Sequence, residues 1–230
     1  MLYAVLRLLS VGLLKLFFRL RVRGAEQVPA EGPVLVAANH VSFFDPVAVG
    51  GGARRPLHFL AKAELFSVPL FGGLIRRLNA HPVERHGADA GALRLGLALL
   101  REGQALLVFP EGTRGEPGTI GAGKPGAGML AVLSGAPVVP VYVEGTGRAL
   151  PRGATLPRRA RITVSYGPPL RFARERGRRQ YQQVSDEIMA AIRRLQAGPD
   201  AVSTGDAGRA ATTNHADRTA RGPLPVGQIH

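Results

Sequence analysis

Val34-Leu35-Val36-Ala37-Ala38-Asn39-His40-Val41-Ser42-Phe43-Phe44-Asp45-Pro46 is the stretch that decides how this chain folds. An apolar, β-branched run bounded by Gly32-Pro33 reads as a buried strand. His40 then falls where the strand ends and a turn begins. Asp45, directly before Pro46, reads as a helix N-cap with proline at the first helical position. On one continuous helix, residues five apart point roughly 140° away from each other, at about 100° per residue. A strand–turn–helix corner instead lets the carboxylate fold back onto the imidazole. Such a corner supplies a base and the acid that orients it.

Outward from this corner, strand and helix signals alternate. Strands are expected at residues 20–23, 34–38, 58–61, 105–109, 138–143 and 161–166, and helices at 45–49, 71–78, 88–102, 126–133 and 178–195. Gly103 after Glu102 supplies a C-terminal stop to the third helix. The alternation predicts an α/β fold: a mixed, largely parallel central sheet flanked by helices. Pro140, inside the run Pro137-Val138-Val139-Pro140-Val141, removes a ladder donor and predicts an edge strand or a pocket wall.

A length of 230 residues suits one α/β domain with appendages, and 45% hydrophobic residues suffice for its core. With no cysteine, disulfides and cysteine-based metal sites are excluded. The net charge is +14, and its distribution matters. Beyond residue 196, Asp200, Asp206 and Asp217 balance Arg209, Arg218 and Arg221, so the whole excess lies in the body of the chain. A basic body attracts nucleic acid, anionic lipid or phosphorylated substrates, and charge alone does not choose among them.

Residues 1–20 are apolar, with Arg7, Lys15 and Arg19 confined to an arc of roughly 120° at about 100° per residue. That pattern suits an amphipathic helix lying in a membrane interface better than a spanning one, which would bury Arg7 and Lys15 in lipid. The basic residues Arg19, Arg21 and Arg23 follow the apolar run, the reverse of a signal peptide. Residues 21–196 form the expected α/β domain. Residues 197–230 turn to Gly, Ala, Thr, Asp and Pro without apolar periodicity and read as a disordered tail.

Further segments carry chemistry. Phe109-Pro110-Glu111-Gly112-Thr113-Arg114 follows a strand: Gly112 permits close backbone approach, while Thr113 and Arg114 can donate to an oxyanion. The duller reading is a strand-exit turn with a solvated arginine. Arg85 closes the short extended segment from Asn79 and can add a cation at the same sheet edge. Lys62 and Lys124 are further candidates for phosphate, or plain surface charge. No G-x-S-x-G elbow, Walker loop or dinucleotide fingerprint is present, and His58, His81 and His86 lack metal-ligand spacing.

Taken in order and spacing, these blocks resemble the glycerolipid acyltransferase family, specifically its bacterial 1-acyl-sn-glycerol-3-phosphate branch. Asn39-His40 with Asp45 resembles the first family motif, Pro82-Val83-Glu84-Arg85 the second, Phe109 through Arg114 the third and Val139-Pro140-Val141 the fourth. Lys62-Ala63-Glu64-Leu65 and Gly123-Lys124-Pro125-Gly126 also resemble recurrent segments. The resemblance implies an O-acyltransferase with His40 as general base and Asp45 as its orienting acid. Lys62, Arg85 and Arg114 grip the acceptor's phosphate, and Glu111, Gly112 and Thr113 shape that site. The implied reaction moves a fatty acyl group from acyl-CoA or an acyl carrier protein to 1-acyl-sn-glycerol 3-phosphate. No metal or bound cofactor is implied. The implied location is the cytoplasmic face of the cell membrane, peripheral or monotopic, on anionic lipid. Two rivals stand beside this reading: another lysolipid or glycerol 3-phosphate as acceptor, and a basic lipid- or nucleic-acid-binding module without catalysis. The second explains neither the His–Asp corner nor the low aromatic content of 6%, too sparse for base stacking.

Overall fold

The computed structural model describes residues 12, 15–84, 89–154, 156–174 and 177–198. Its seven strands are β1 (Arg21–Arg23), β2 (Val34–Ala38), β3 (His58–Lys62), β4 (Ala80–Val83), β5 (Ala105–Val108), β6 (Val138–Glu144) and β7 (Thr163–Tyr166). They form one sheet in the order β1-β7-β6-β2-β5-β3-β4. Strands β6, β2, β5, β3 and β4 run parallel; β7 returns antiparallel along β6, and β1 pairs parallel with β7. This is the mixed, largely parallel α/β sheet expected from the alternation.

The helices are α1 (Asp45–Gly52), α2 (Phe71–Arg77), α3 (Asp89–Arg101), α4 (Pro125–Ser134), the single turn α5 (Thr146–Ala149) and α6 (Arg178–Ala197). All five residues of β2 are buried because both faces of the central sheet are covered. Val34, Val36 and Ala38 point to the face that carries Ala48 and Val49 of α1 together with Phe18 and Leu20. Leu35 and Ala37 point to the other face, against Leu99 and Leu100 of α3, Leu130 of α4, and Val184, Ile188 and Ile192 of α6. The last three recur every fourth residue, the stripe an amphipathic helix buries. A Cβ on Gly128 would collide with the Tyr181 carbonyl oxygen, so glycine lets α4 and α6 touch backbone to backbone.

Three local expectations change. Asp45 is the first helical residue and Phe44 is the N-cap, without a side-chain capping bond; the Asp45 carboxylate is turned back onto the preceding turn instead. Pro140 lies in β6, an interior strand between β7 and β2. It is tolerated there because β7 has ended at Tyr166, and the next residue, Gly167, donates its N–H to the Pro140 carbonyl at 2.8 Å. The proline on an edge strand is Pro82, in β4. That segment, read from sequence only as extended, completes the sheet. Of the helix expected over residues 1–20, residues 15–18 are helical and Phe18 is buried; residues 1–11 lie outside the described residues, as do Arg85 and residues 199–230. Among the described residues no helix is long and apolar enough to cross a membrane.

Candidate functional site

His40 stands two residues past β2, at the rim where the parallel strands end. The chain then turns so tightly that Asp45 arrives beneath it. Asp45 Oδ2 lies 2.8 Å from His40 Nδ1, 2.7 Å from the Val41 amide nitrogen and 2.8 Å from that of Ser42. Both amides donate to the carboxylate, which fixes the acid before it meets the imidazole. The Asp45 side chain is fully buried, whereas that of His40 keeps 18% of its surface exposed. Asp45 Oδ1 is buried without a partner among the described residues. Among the described residues His40 is the one basic side chain in contact with this carboxylate.

The ring plane is fixed separately. Phe109, the residue after β5, stacks on His40 with centroids 4.0 Å apart and planes 19° from parallel. Among the described residues Nε2 carries no hydrogen bond, so the ring's outer nitrogen is the one left to meet a substrate.

Glu111 is buried and faces inward. Its Oε1 accepts the His40 main-chain N–H at 3.0 Å, and its Oε2 accepts the Gly121 N–H at 3.0 Å. Both oxygens are thus occupied by backbone, and no arginine shares them among the described residues. The Gly115 N–H in turn donates to the His40 carbonyl at 2.8 Å. The main chain of His40 is held at both its N–H and its C=O by the loop that follows β5. Glu111 therefore holds the backbone on either side of the loop, at His40 and at Gly121.

Gly112 has φ +68°, the left-handed region that favours glycine, and a Cβ there would lie 3.0 Å from Lys124 Cδ and 3.0 Å from Nζ. Lys124 therefore lies over the loop, a proximity the turn before α4 only hinted at. Thr113 is exposed. Arg114 rests its guanidinium carbon 3.8 Å above the Phe43 ring centroid. Cation–π contact holds that side chain in place while leaving its fork free of any ion pair among the described residues. Lys62, exposed, is the last residue of β3 and shares the rim one strand beyond β5.

Asn39, directly before His40, closes the end of β2. It is buried, donates from Nδ2 to the Val143 carbonyl at 3.0 Å and accepts the Val143 N–H at Oδ1 at 2.7 Å. The amide continues the β2–β6 ladder where the main chain of β2 has turned away. Ser42 is likewise structural: its hydroxyl donates to the Leu150 carbonyl at 3.0 Å.

The fold and the site define an α/β protein with a histidine–carboxylate pair at one rim and the cations Lys62, Arg114 and Lys124 at the same rim. A family model described as Acyltransferase matches residues 19–144, more than half of the chain. The chain belongs to the Acyltransferase family. It is 30% identical over 141 residues to the chloroplastic 1-acyl-sn-glycerol-3-phosphate acyltransferase LPAT1 of Arabidopsis thaliana, covering 60% of this chain and 39% of that protein. With the 1-acyl-sn-glycerol-3-phosphate acyltransferase of Bacillus subtilis it shares 29% over 154 residues, 66% of this chain and 74% of that protein. The crystal structure of the 1-acyl-sn-glycerophosphate (LPA) acyltransferase PlsC from Thermotoga maritima matches with a TM-score of 0.70 at 28% identity. That match covers 85% of this chain and 80% of the Thermotoga chain. The alignment thus spans about two fifths of the Arabidopsis relative's length and about three quarters of the Bacillus one.

Proposed function

We propose that this chain transfers a fatty acyl group from an acyl thioester to the free hydroxyl of 1-acyl-sn-glycerol 3-phosphate, giving phosphatidic acid. The observation that carries the reading is the 2.8 Å contact of His40 Nδ1 with the buried Asp45. It leaves Nε2 to take the hydroxyl proton. As that proton leaves, the hydroxyl oxygen bonds to the thioester carbonyl carbon. The tetrahedral intermediate then expels the thiolate, which recovers the proton from the imidazolium. Asp45 keeps the imidazole in the right tautomer and offsets the charge of the imidazolium. A positioned base of this kind contributes roughly 10²–10⁴ in rate.

Arg114, Lys62 and Arg85 serve as cations for the acceptor's phosphate, with Lys124 added by its place over Gly112. The guanidinium fork matches two phosphate oxygens at once. The donor is acyl-CoA or an acyl carrier protein, and the chain works without a metal or bound cofactor. Residues 1–20 dock the domain on the cytoplasmic face of the membrane, on anionic lipid. Relatives named for lysophosphatidate acylation support the acceptor.

The test is mass spectrometry of products from the purified full chain, given lysophosphatidic acid and either donor. Phosphatidic acid is expected, lost in His40→Ala, with Arg114→Ala raising KM more than it lowers kcat. Turnover of a phosphate-free lysolipid with lysophosphatidic acid left inert would overturn the phosphate assignment.

A further inference from the structure

Large apolar side chains are exposed on one end of the sheet. Strands β6, β2, β5 and β3 all end at the rim that carries His40, and β7 and β1, running the opposite way, begin there. Nine large hydrophobic residues are exposed among the described residues. One, Val22, lies within β1; the other eight sit in connections at this rim. Leu16 and Phe17 precede β1, Phe43 follows β2, Leu156 falls between β6 and β7, and Val68, Leu70, Phe71 and Leu74 follow β3. The connections at the opposite rim expose no large hydrophobic residue among the described residues.

The group after β3 is the densest. It is apolar on both sides: Phe66 and Ile75 pack inward on Ala80, while Val68, Leu70, Phe71 and Leu74 face out. A soluble helix carries polar residues on its outer side. Leu70 is 94% exposed and is held at φ +62°, a left-handed backbone that a branched side chain rarely adopts. The turn is closed by Phe71 N–H to Pro69 O at 2.6 Å and Gly72 N–H to Val68 O at 2.9 Å. Strain at a tip with no packing of its own indicates a surface shaped for something outside the domain. Residues 65–83 contain Arg76 and Arg77 and no acid; with exposed Lys62 they outnumber the two exposed acids that border the segment, Glu64 and Glu84. Apolar tip and basic flank together match one occupant, the interface of an anionic bilayer.

We infer that Val68–Leu74 is a second membrane-inserting element, with Leu70 at its tip, on the β3 side of the site, whereas exposed Leu16 and Phe17 adjoin Phe18, which packs on Phe44 on the α1 side. In the sheet order β1 and β3 are five positions apart, roughly 24 Å at about 4.8 Å per strand. The strands that present His40 and Glu111, β2 and β5, lie between them. Two inserted elements bracketing the base set the rim face-down on lipid, where one anchor alone leaves the domain free to pivot. The inference rests on the reading that the acceptor is a bilayer lipid, yet its test does not depend on turnover.

The chain contains no tryptophan, so Leu70→Trp introduces a single fluorescent reporter. Glu31→Trp, exposed ahead of β2 on the opposite rim, is its control. Each full-length variant is mixed with vesicles of phosphatidylcholine and phosphatidylglycerol, with and without brominated acyl chains. The expected result is a blue shift and strong bromine quenching for Leu70→Trp, and neither for Glu31→Trp. Leu70→Asp, which removes no buried contact, lowers vesicle partitioning by roughly tenfold, the scale of losing one buried leucine. Equal quenching of the two reporters while the protein sediments with vesicles overturns the inference. A blue shift that follows protein concentration without lipid overturns it as well, in favour of self-association. If quenching is seen but lysophosphatidic acid is not acylated, the inserted element stands and the substrate assignment falls.

Discussion

Two histidine pairs sit at opposite ends of this sheet. At the rim where the parallel strands end, His40 meets the carboxylate of Asp45 at 2.8 Å. At the other end, His58 on β3 places Nδ1 2.9 Å from Nε2 of His81 on the neighbouring β4, the rings 5.2 Å apart and 17° from parallel. The neighbour of His40 is a carboxylate. An added proton at His58 faces a second imidazole and destroys a bond that needs one donor and one acceptor. Burial first and His81 second hold His58 below its ordinary range, with Glu102 and Gln104 pulling it back up; burial lowers His81 as well, again opposed by Glu102. The neighbour decides whether an imidazole can cycle its proton or refuses it.

Replacing His40 with Ala is the severest way to break the contrast. We expect turnover to fall by about 10⁴, the upper end for a positioned base, with the circular dichroism melt little changed. Asp45→Asn comes next. It puts an uncharged amide under three donors, so turnover drops by about 10² and stability by about 1–3 kcal/mol. Initial rates and a urea midpoint measure both. Glu111→Gln presents an NH₂ group to one of two N–H donors, the His40 amide or the Gly121 amide. A loss of about 1–3 kcal/mol in stability and a roughly tenfold fall in kcat, equivalent to about 1.4 kcal/mol, are expected. Unchanged kcat would show that the base does not need its main chain held.

The smallest effect sharpens the other end. Both His58 and His81 titrate lower when folded than their usual value near 6.5. Below that pH the unfolded chain binds more protons than the folded one, so stability declines as pH falls and is regained above it. His81→Gln should flatten that decline in urea titrations at pH 5.5–7.5 while kcat at pH 8 stays at the parental level. A decline as steep as the parent's would place the pH sensitivity elsewhere.

The central fold could be read from sequence because its signals are local. Val34 to Ala38 is apolar at every position, as a strand covered on both faces must be, and Gly103 marks the stop after α3. Asp45's return to His40 was also legible, since proline at position 46 fixes where α1 starts. What stayed hidden depends on residues far apart. Glu111 reads from sequence only as part of the acceptor site; the pairing of β5 beside β2 carries it beneath the His40 amide. Pro140 looked like an edge residue because nothing nearby shows that β7 stops at Tyr166. Phe109's stacking on His40 and Asn39's bond to Val143, 104 residues away, need the assembled sheet. The His58–His81 contact likewise arises from strand pairing.

The clamp on the His40 peptide, Glu111 on one side and the Gly115 amide on the other, makes the base and the anion loop one mechanical part. On the proposed reading, a headgroup that pulls on Arg114 strains the same short segment that sets the imidazole's aim. Acceptor choice and proton transfer can therefore not be re-engineered separately: any graft that swaps residues 111–115 re-aims the histidine, and selection on one trait drags the other with it.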